Sequence, residues 1–179
     1  FTAKIENKII KPTIEGLKSE GIQYRGFLYF GLMKVGDEPY VIEYNVRMGD
    51  PEAQVVIPRM KSDLLEALTA VANNKLNKYT LEIDDSVAAT VILASEGYPG
   101  KYEKGKEITI NDLPDDIYIF HAGTKFENGH LLTSGGRVMA VSTLAPTFNK
   151  ALSAIYNNIP NIDFEGKYFR EVGIGTPLR

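Results

Sequence analysis

Residues 41 to 52 read Val-Ile-Glu-Tyr-Asn-Val-Arg-Met-Gly-Asp-Pro-Glu, and their first half alternates apolar and polar residues with a period of two. That period belongs to a β-strand, whose successive side chains point to opposite faces. Glu43, Asn45 and Arg47 therefore share one face, and Ile42, Tyr44 and Val46 share the other and are expected to pack into a core. A carboxylate and an amide oxygen beside a fixed cation suit a magnesium–phosphate complex: the hard metal takes oxygen ligands, and a guanidinium takes phosphate oxygens. The same residues also suit an edge strand with a wet face and an incidental Glu–Arg ion pair.

The elements around this strand follow from local patterning. Ile5, Ile9, Ile14 and Leu17 fall near helical spacing over residues 2 to 20, with Pro12 placed to kink that helix or start a second one, and Gly21 fits its C-cap. Phe27 to Met33 and Tyr40 to Arg47 are predicted to pair as a hairpin around Gly36-Asp37-Glu38-Pro39. Met48 to Arg59 reads as a loop. A helix is predicted over about 63 to 72, capped by Asp63 with Glu66 three residues on, and striped by Leu64, Leu65, Leu68, Val71 and Ala72. From Thr80 the character turns to β. Val87 to Ala94 is a continuous apolar strand, Ile108 with Ile110 and Ile117 to His121 are shorter ones, and Asn128-Gly129 is a strong hairpin turn. A last helix is expected after Pro146, with Phe148, Ala151, Leu152 and Ile155 as its core stripe.

Composition removes several classes of function. A net charge of −3 gives no electrostatic reason to expect nucleic-acid or anionic-membrane partners. Cysteine is absent, which rules out disulfides and thiolate metal sites and suits a cytoplasmic location. No apolar run approaches the ~20 residues of a membrane helix.

Further motifs stand in a definite order: Ile10-Lys11-Pro12-Thr13, Glu20 to Gly26, Leu28 to Met33, Ser62-Asp63-Leu64, Leu93 to Gly100, Phe120 to Thr124, Gly135 to Val138, and Phe164 to Arg170. In that order and spacing, across nearly the whole chain, they resemble the C-terminal part of the phosphoribosylamine–glycine ligase (glycinamide ribonucleotide synthetase) family of the ATP-grasp superfamily. The resemblance implies an α+β chain. Residues 1–80 would be the second half of an ATP-grasp domain, an antiparallel sheet with helices, and residues 81–179 a small β-rich domain with a helix. It implies an ATP-dependent ligase of purine biosynthesis that joins phosphoribosylamine to glycine through an acyl phosphate.

Carried over residue by residue, Glu43 and Asn45 match the family's metal ligands, for Mg2+ or Mn2+, and Arg47 is expected to face the transferring phosphate. Asp50 and Glu52 are candidates for holding substrate, although Gly-Asp-Pro is turn chemistry in any case. Gly135, Gly136 and Arg137 could bring amides and a guanidinium to the ribose phosphate, or simply form a tight hairpin. His121 and Arg170 carry the same ambiguity. Many ATP-grasp enzymes have a further acidic ligand on the preceding strand; residues 27 to 33 have none, which favours this ligase over carboxylases such as biotin carboxylase or phosphoribosylaminoimidazole carboxylase. Opening at Phe1 inside a helical pattern and without a glycine-rich phosphate loop, the chain reads as a fragment missing the N-terminal part of the enzyme and inactive alone. The rival of another class is a non-catalytic module that binds metal or nucleotide, or packs against a partner.

Overall fold

Why each helix and strand forms where it does is visible in a computed structural model, which describes residues 1–170. The helices are α1 (Thr2–Ile5), α2 (Lys11–Ser19), α3 (Ala53–Val56), α4 (Leu64–Ala72) and α5 (Phe148–Asn158). The strands are β1 (Tyr29–Val35), β2 (Glu38–Asn45), β3 (Val87–Ser95), β4 (Thr109–Ile110), β5 (Ile117–His121), β6 (Thr124–Glu127), β7 (His130–Thr133), β8 (Arg137–Ala145), β9 (Ile162–Asp163) and β10 (Lys167–Tyr168). They fall into two units: Phe1–Asp50 with Ser62–Leu81, and Pro51–Lys61 with the chain from Glu82 onward.

In the first unit, α1 continues into α2 through a π-helical turn over Glu6–Ile10, closed by the Lys11 amide donating to the Glu6 carbonyl. Pro12 accounts for the widening. Its ring clashes with the carbonyl four residues back and it brings no amide hydrogen, so the ladder opens just before it. The Thr13 hydroxyl then donates to the Ile9 carbonyl at 2.7 Å. At the other end Gly21, with φ of 71°, lets the Ile22 amide reach the Leu17 carbonyl, a closure that suits glycine. Strands β1 and β2 form an antiparallel hairpin through Gly36 and Asp37. Glu38, at the start of β2, accepts from Lys4 and Lys8, one helical turn apart. As expected, the Asp63 carboxylate caps α4 by accepting from the Glu66 amide at 3.0 Å, and the Arg25 guanidinium donates to the Ala72 carbonyl at its C-terminus.

Two expectations about β2 need correction. Its ladder slips between Gly31 and Leu32, whose partners are Glu43 and Val41, so Ile42 is an unpaired bulge residue outside the simple alternation. The strand also stops at Asn45, and Val46 and Arg47 lie in a bend. The face expected to pack into a core is largely open: Ile42 is 63% exposed, Tyr44 52% and Val46 72%. Tyr44 does meet Phe30 edge to face at 5.4 Å on that side.

The second unit is built on an antiparallel sheet in the order β10-β3-β8-β5, with the long β3 and β8 at its centre. Both are nearly continuous apolar runs because both lie inside the core. Leu93, Val138, Met139 and Val141 are fully buried, with Ile155 of α5 and with Ile159 and Ile162. Helix α5 starts where the Thr147 hydroxyl accepts from the Lys150 amide. The β6–β7 hairpin turns on Asn128 and Gly129, both at positive φ as the sequence predicts.

The 48–59 stretch is not the plain loop expected. It contains α3 and a short 3-10 turn at Ile57–Arg59, and α3 packs against β3 and β8. The segment is stitched to residues 82–84. Arg59 donates twice to the Asp84 carbonyl, at 2.9 and 3.2 Å, and Met60 bridges to Ile83. Hence this segment belongs with the second unit.

Candidate metal and phosphate site

Glu43 and Asn45 lie two positions apart on β2, so strand geometry sets them side by side on one face. The Asn45 side-chain amide donates to Glu43 Oε1 at 2.8 Å. That bond fixes both side chains and leaves Glu43 Oε2 and Asn45 Oδ1 as the oxygens the pair offers. One is a charged carboxylate oxygen and the other a neutral carbonyl oxygen, both hard donors of the kind that Mg2+ and Mn2+ prefer. Among the described residues no group of three or more His, Cys, Asp or Glu side chains gathers to hold a metal. A metal on this pair would complete its shell with water and phosphate oxygens, as Mg2+ commonly does.

Directly across the ladder from Glu43 is Gly31, and across from Asn45 is Tyr29. A Cβ at Gly31 would fall 2.8 Å from Glu43 Cγ and 3.6 Å from its Oε1. Strand patterning alone overlooked this glycine. A glycine inside an apolar strand signals a close approach, but only the register, bulge included, shows what approaches.

The structure does not set Arg47 in alternation with this pair. It lies past the strand end, and its guanidinium donates to the Met48 carbonyl at 2.9 Å. The side chain is exposed and keeps further donors in its fork. Asp50 ends the first segment of the first unit, in an exposed turn. Glu52, in the second unit, precedes α3, and its carbonyl accepts from the Val55 and Val56 amides.

Elsewhere in the second unit, Gly135 and Gly136 serve close packing. The Gly135 amide donates to the Gly123 carbonyl, and a Cβ at Gly135 would lie 3.0 Å from Gly123 Cα. A Cβ at Gly136 would fall 2.1 Å from the Tyr98 ring. Arg137 opens β8, half-buried, with its carbonyl accepting from the Gly123 amide. His121 Nδ1 pairs with the Thr124 hydroxyl at 3.1 Å, and the Arg170 carbonyl accepts from Tyr156.

Comparison with known proteins sets this geometry in a family. Residues 1–53 match the family model for the phosphoribosylglycinamide synthetase ATP-grasp (A) domain, and residues 88–176 the model for the phosphoribosylglycinamide synthetase C domain. The chain is 45% identical over 170 residues to a phosphoribosylamine–glycine ligase of Chlorobaculum tepidum, covering 93% of this chain and 40% of that protein. It superposes on a crystal structure of phosphoribosylamine–glycine ligase from Thermotoga maritima with a TM-score of 0.77 and 38% identity, covering 95% of this chain and 42% of that one. The biotin carboxylase subunit of a pyruvate carboxylase shares the fold at 16% identity and a TM-score of 0.58, covering 86% of this chain and 34% of its own. The chain thus spans about 40% of the length of the phosphoribosylamine–glycine ligases it matches. With a mixed α+β architecture, an ATP-grasp segment and a following C domain, it belongs to the phosphoribosylglycinamide synthetase family.

Proposed function

We propose that this chain works as the C-terminal portion of an ATP-dependent ligase that joins phosphoribosylamine and glycine. The observation that carries the reading is the adjacency of the Glu43 and Asn45 side chains on one face of β2, locked by their 2.8 Å hydrogen bond, in a chain of this family. In this reading the γ-phosphoryl group of ATP passes to the glycine carboxylate, releasing ADP. The amine of phosphoribosylamine then attacks the acyl phosphate and expels inorganic phosphate.

A divalent ion, Mg2+ or Mn2+, bound at Glu43 and Asn45 would neutralise charge on the phosphates. Glu43 supplies the one negative charge at the pair, and Asn45 orients it. Arg47 sits just past the strand end, and its guanidinium, released from the Met48 carbonyl, would bind phosphate oxygens. Asp50 and Glu52 hold substrate amines, and Gly135, Gly136 and Arg137 shape the turn that receives the ribose phosphate. The upstream part of the enzyme supplies most of the nucleotide pocket. No described helix is long and apolar enough to cross a membrane. A cytoplasmic location goes with the proposed role in purine biosynthesis.

The test is ADP release by the full-length protein carrying this sequence. Turnover should require both glycine and phosphoribosylamine, and should fall by about a hundredfold or more in Glu43→Ala and Asn45→Ala without unfolding. Turnover that ignores glycine would defeat the substrate assignment.

A further inference from the structure

Gly31 has no conformational reason to be glycine. Its φ lies outside the left-handed region that favours glycine, although it sits within β1 beside the register slip between Gly31 and Leu32. A glycine in a strand interior ordinarily weakens the strand, because it packs nothing and loses more entropy on folding. What distinguishes the position is space. The three atoms nearest to a Cβ there all belong to Glu43: Cγ at 2.8 Å, the carbonyl oxygen at 3.6 Å and Oε1 at 3.6 Å. The Glu43 side chain therefore leans across the ladder over Gly31 and fills the room that a side chain would take.

Two other features hold the carboxylate there. The bulge at Ile42 directly precedes Glu43 and ends between Gly31 and Leu32 on the facing strand. Bulges of this kind re-aim the neighbouring side chain. From the opposite direction, the Asn45 amide donates to Glu43 Oε1. The carboxylate is thus set by a bare position on β1, a bulge behind it and an amide beside it.

We propose that Gly31 is a positioning residue for the metal-binding carboxylate. Its missing side chain lets Glu43 lie against β1 with its oxygens next to Asn45, an inference that rests on the reading of Glu43 as a metal ligand. Any Cβ at residue 31 pushes the Glu43 stem aside, breaks the bond to Asn45 and separates the two oxygen donors. Gly31 touches no substrate in this scheme and acts only through Glu43.

The experiment uses the full-length protein with Mn2+ as the probe. Metal binding is followed by electron paramagnetic resonance, and thermal melting is recorded in parallel. Gly31→Ala should weaken Mn2+ binding by about 10- to 100-fold, the range for losing a residue that orients a ligand. Its melting temperature should stay level or rise, since alanine suits a strand better than glycine. Glu43→Ala should abolish the bound-metal signal. Adding Gly31→Ala to Glu43→Ala should leave metal binding as it is in Glu43→Ala and keep the melting temperature level or raise it, because the clashing Cγ is gone. Wild-type Mn2+ affinity in Gly31→Ala would overturn the proposal while leaving Glu43 as a ligand. A melting loss equal with and without Glu43 would also overturn it, by making the glycine purely structural. Wild-type metal binding in Glu43→Ala would defeat the ligand reading, and the proposal with it.

Discussion

The two units use similar sequence patterns to opposite effect. In the second, apolar strands and an amphipathic helix close on one another, and Leu93, Val138, Met139, Val141, Ile155, Ile159 and Ile162 are sealed from water. In the first, the hairpin and helices form just as regularly, yet among the described residues Ile9 is its one buried apolar side chain. Ile42, Tyr40, Val46, Met33 and Leu65 are each more than half exposed. Periodicity therefore specifies an element and its faces, while burial depends on whether a covering layer is present. In a longer ligase of the kind proposed, further parts of the ATP-grasp domain would have this open surface to pack on.

Core truncation should separate the units most sharply. Ile155→Ala, at 0% exposure, should cost the second unit about 2–5 kcal/mol in urea denaturation. Ile42→Ala, at 63% exposure, should stay within about 0.5 kcal/mol in the 179-residue chain and cost more in the full-length protein. Equal losses at the two positions in the short chain would erase the contrast.

A smaller effect is expected at the α4 cap. Asp63→Ala leaves the Glu66 amide without its acceptor and should cost the first unit about 1 kcal/mol, read from the same denaturation curves. No change would mean that α4 is held by packing rather than by its own start signal.

The weakest expected effect is electrostatic, and both units share it. Hydrogen bonds from Lys4 and Lys8 hold the exposed Glu38 carboxyl at about 2, down from 4.5. In the second unit, hydrogen bonds from the Ser86 hydroxyl and amide and from Lys61 hold Asp84 at about 2, down from 3.8. Each group titrates lower when folded, so its stabilising contribution is complete above its ordinary pKa and fades as pH falls toward about 2. NMR titration should show Glu38 returning toward 4.5 in Lys4→Ala/Lys8→Ala, with Asp84 unmoved. Both groups are solvated, and added salt should shrink the Glu38 shift first.

Local chemistry made much of this legible in the sequence. Asp63 as a cap, Asn128-Gly129 as a turn, the continuous apolar run of β3 and the stripe of α5 all depend on residues within a few positions of one another. The side-by-side placement of Glu43 and Asn45 followed from strand period alone. The bulge at Ile42 did not, because it is a property of two strands in register. Arg47 was drawn into the alternation because nothing local marks the strand as ending at Asn45. The Gly-Asp-Pro turn hid α3, a helix too short to show a periodic stripe and held by its packing on β3 and β8. Nothing in the sequence pattern singles out Gly31, and only the facing strand identifies its neighbour.

The Pro51–Lys61 excursion has a practical meaning for anyone dissecting the gene. A cut after Leu81 looks natural on paper, yet it would strand α3 on the upstream product, away from β3 and β8, and divide the Arg59–Asp84 clasp between two products. The downstream piece would expose the bare flank of its central strands, and the upstream piece would carry a useless tail. Any split protein, fusion or limited-proteolysis map of this chain must treat that short stretch as travelling with the later segment.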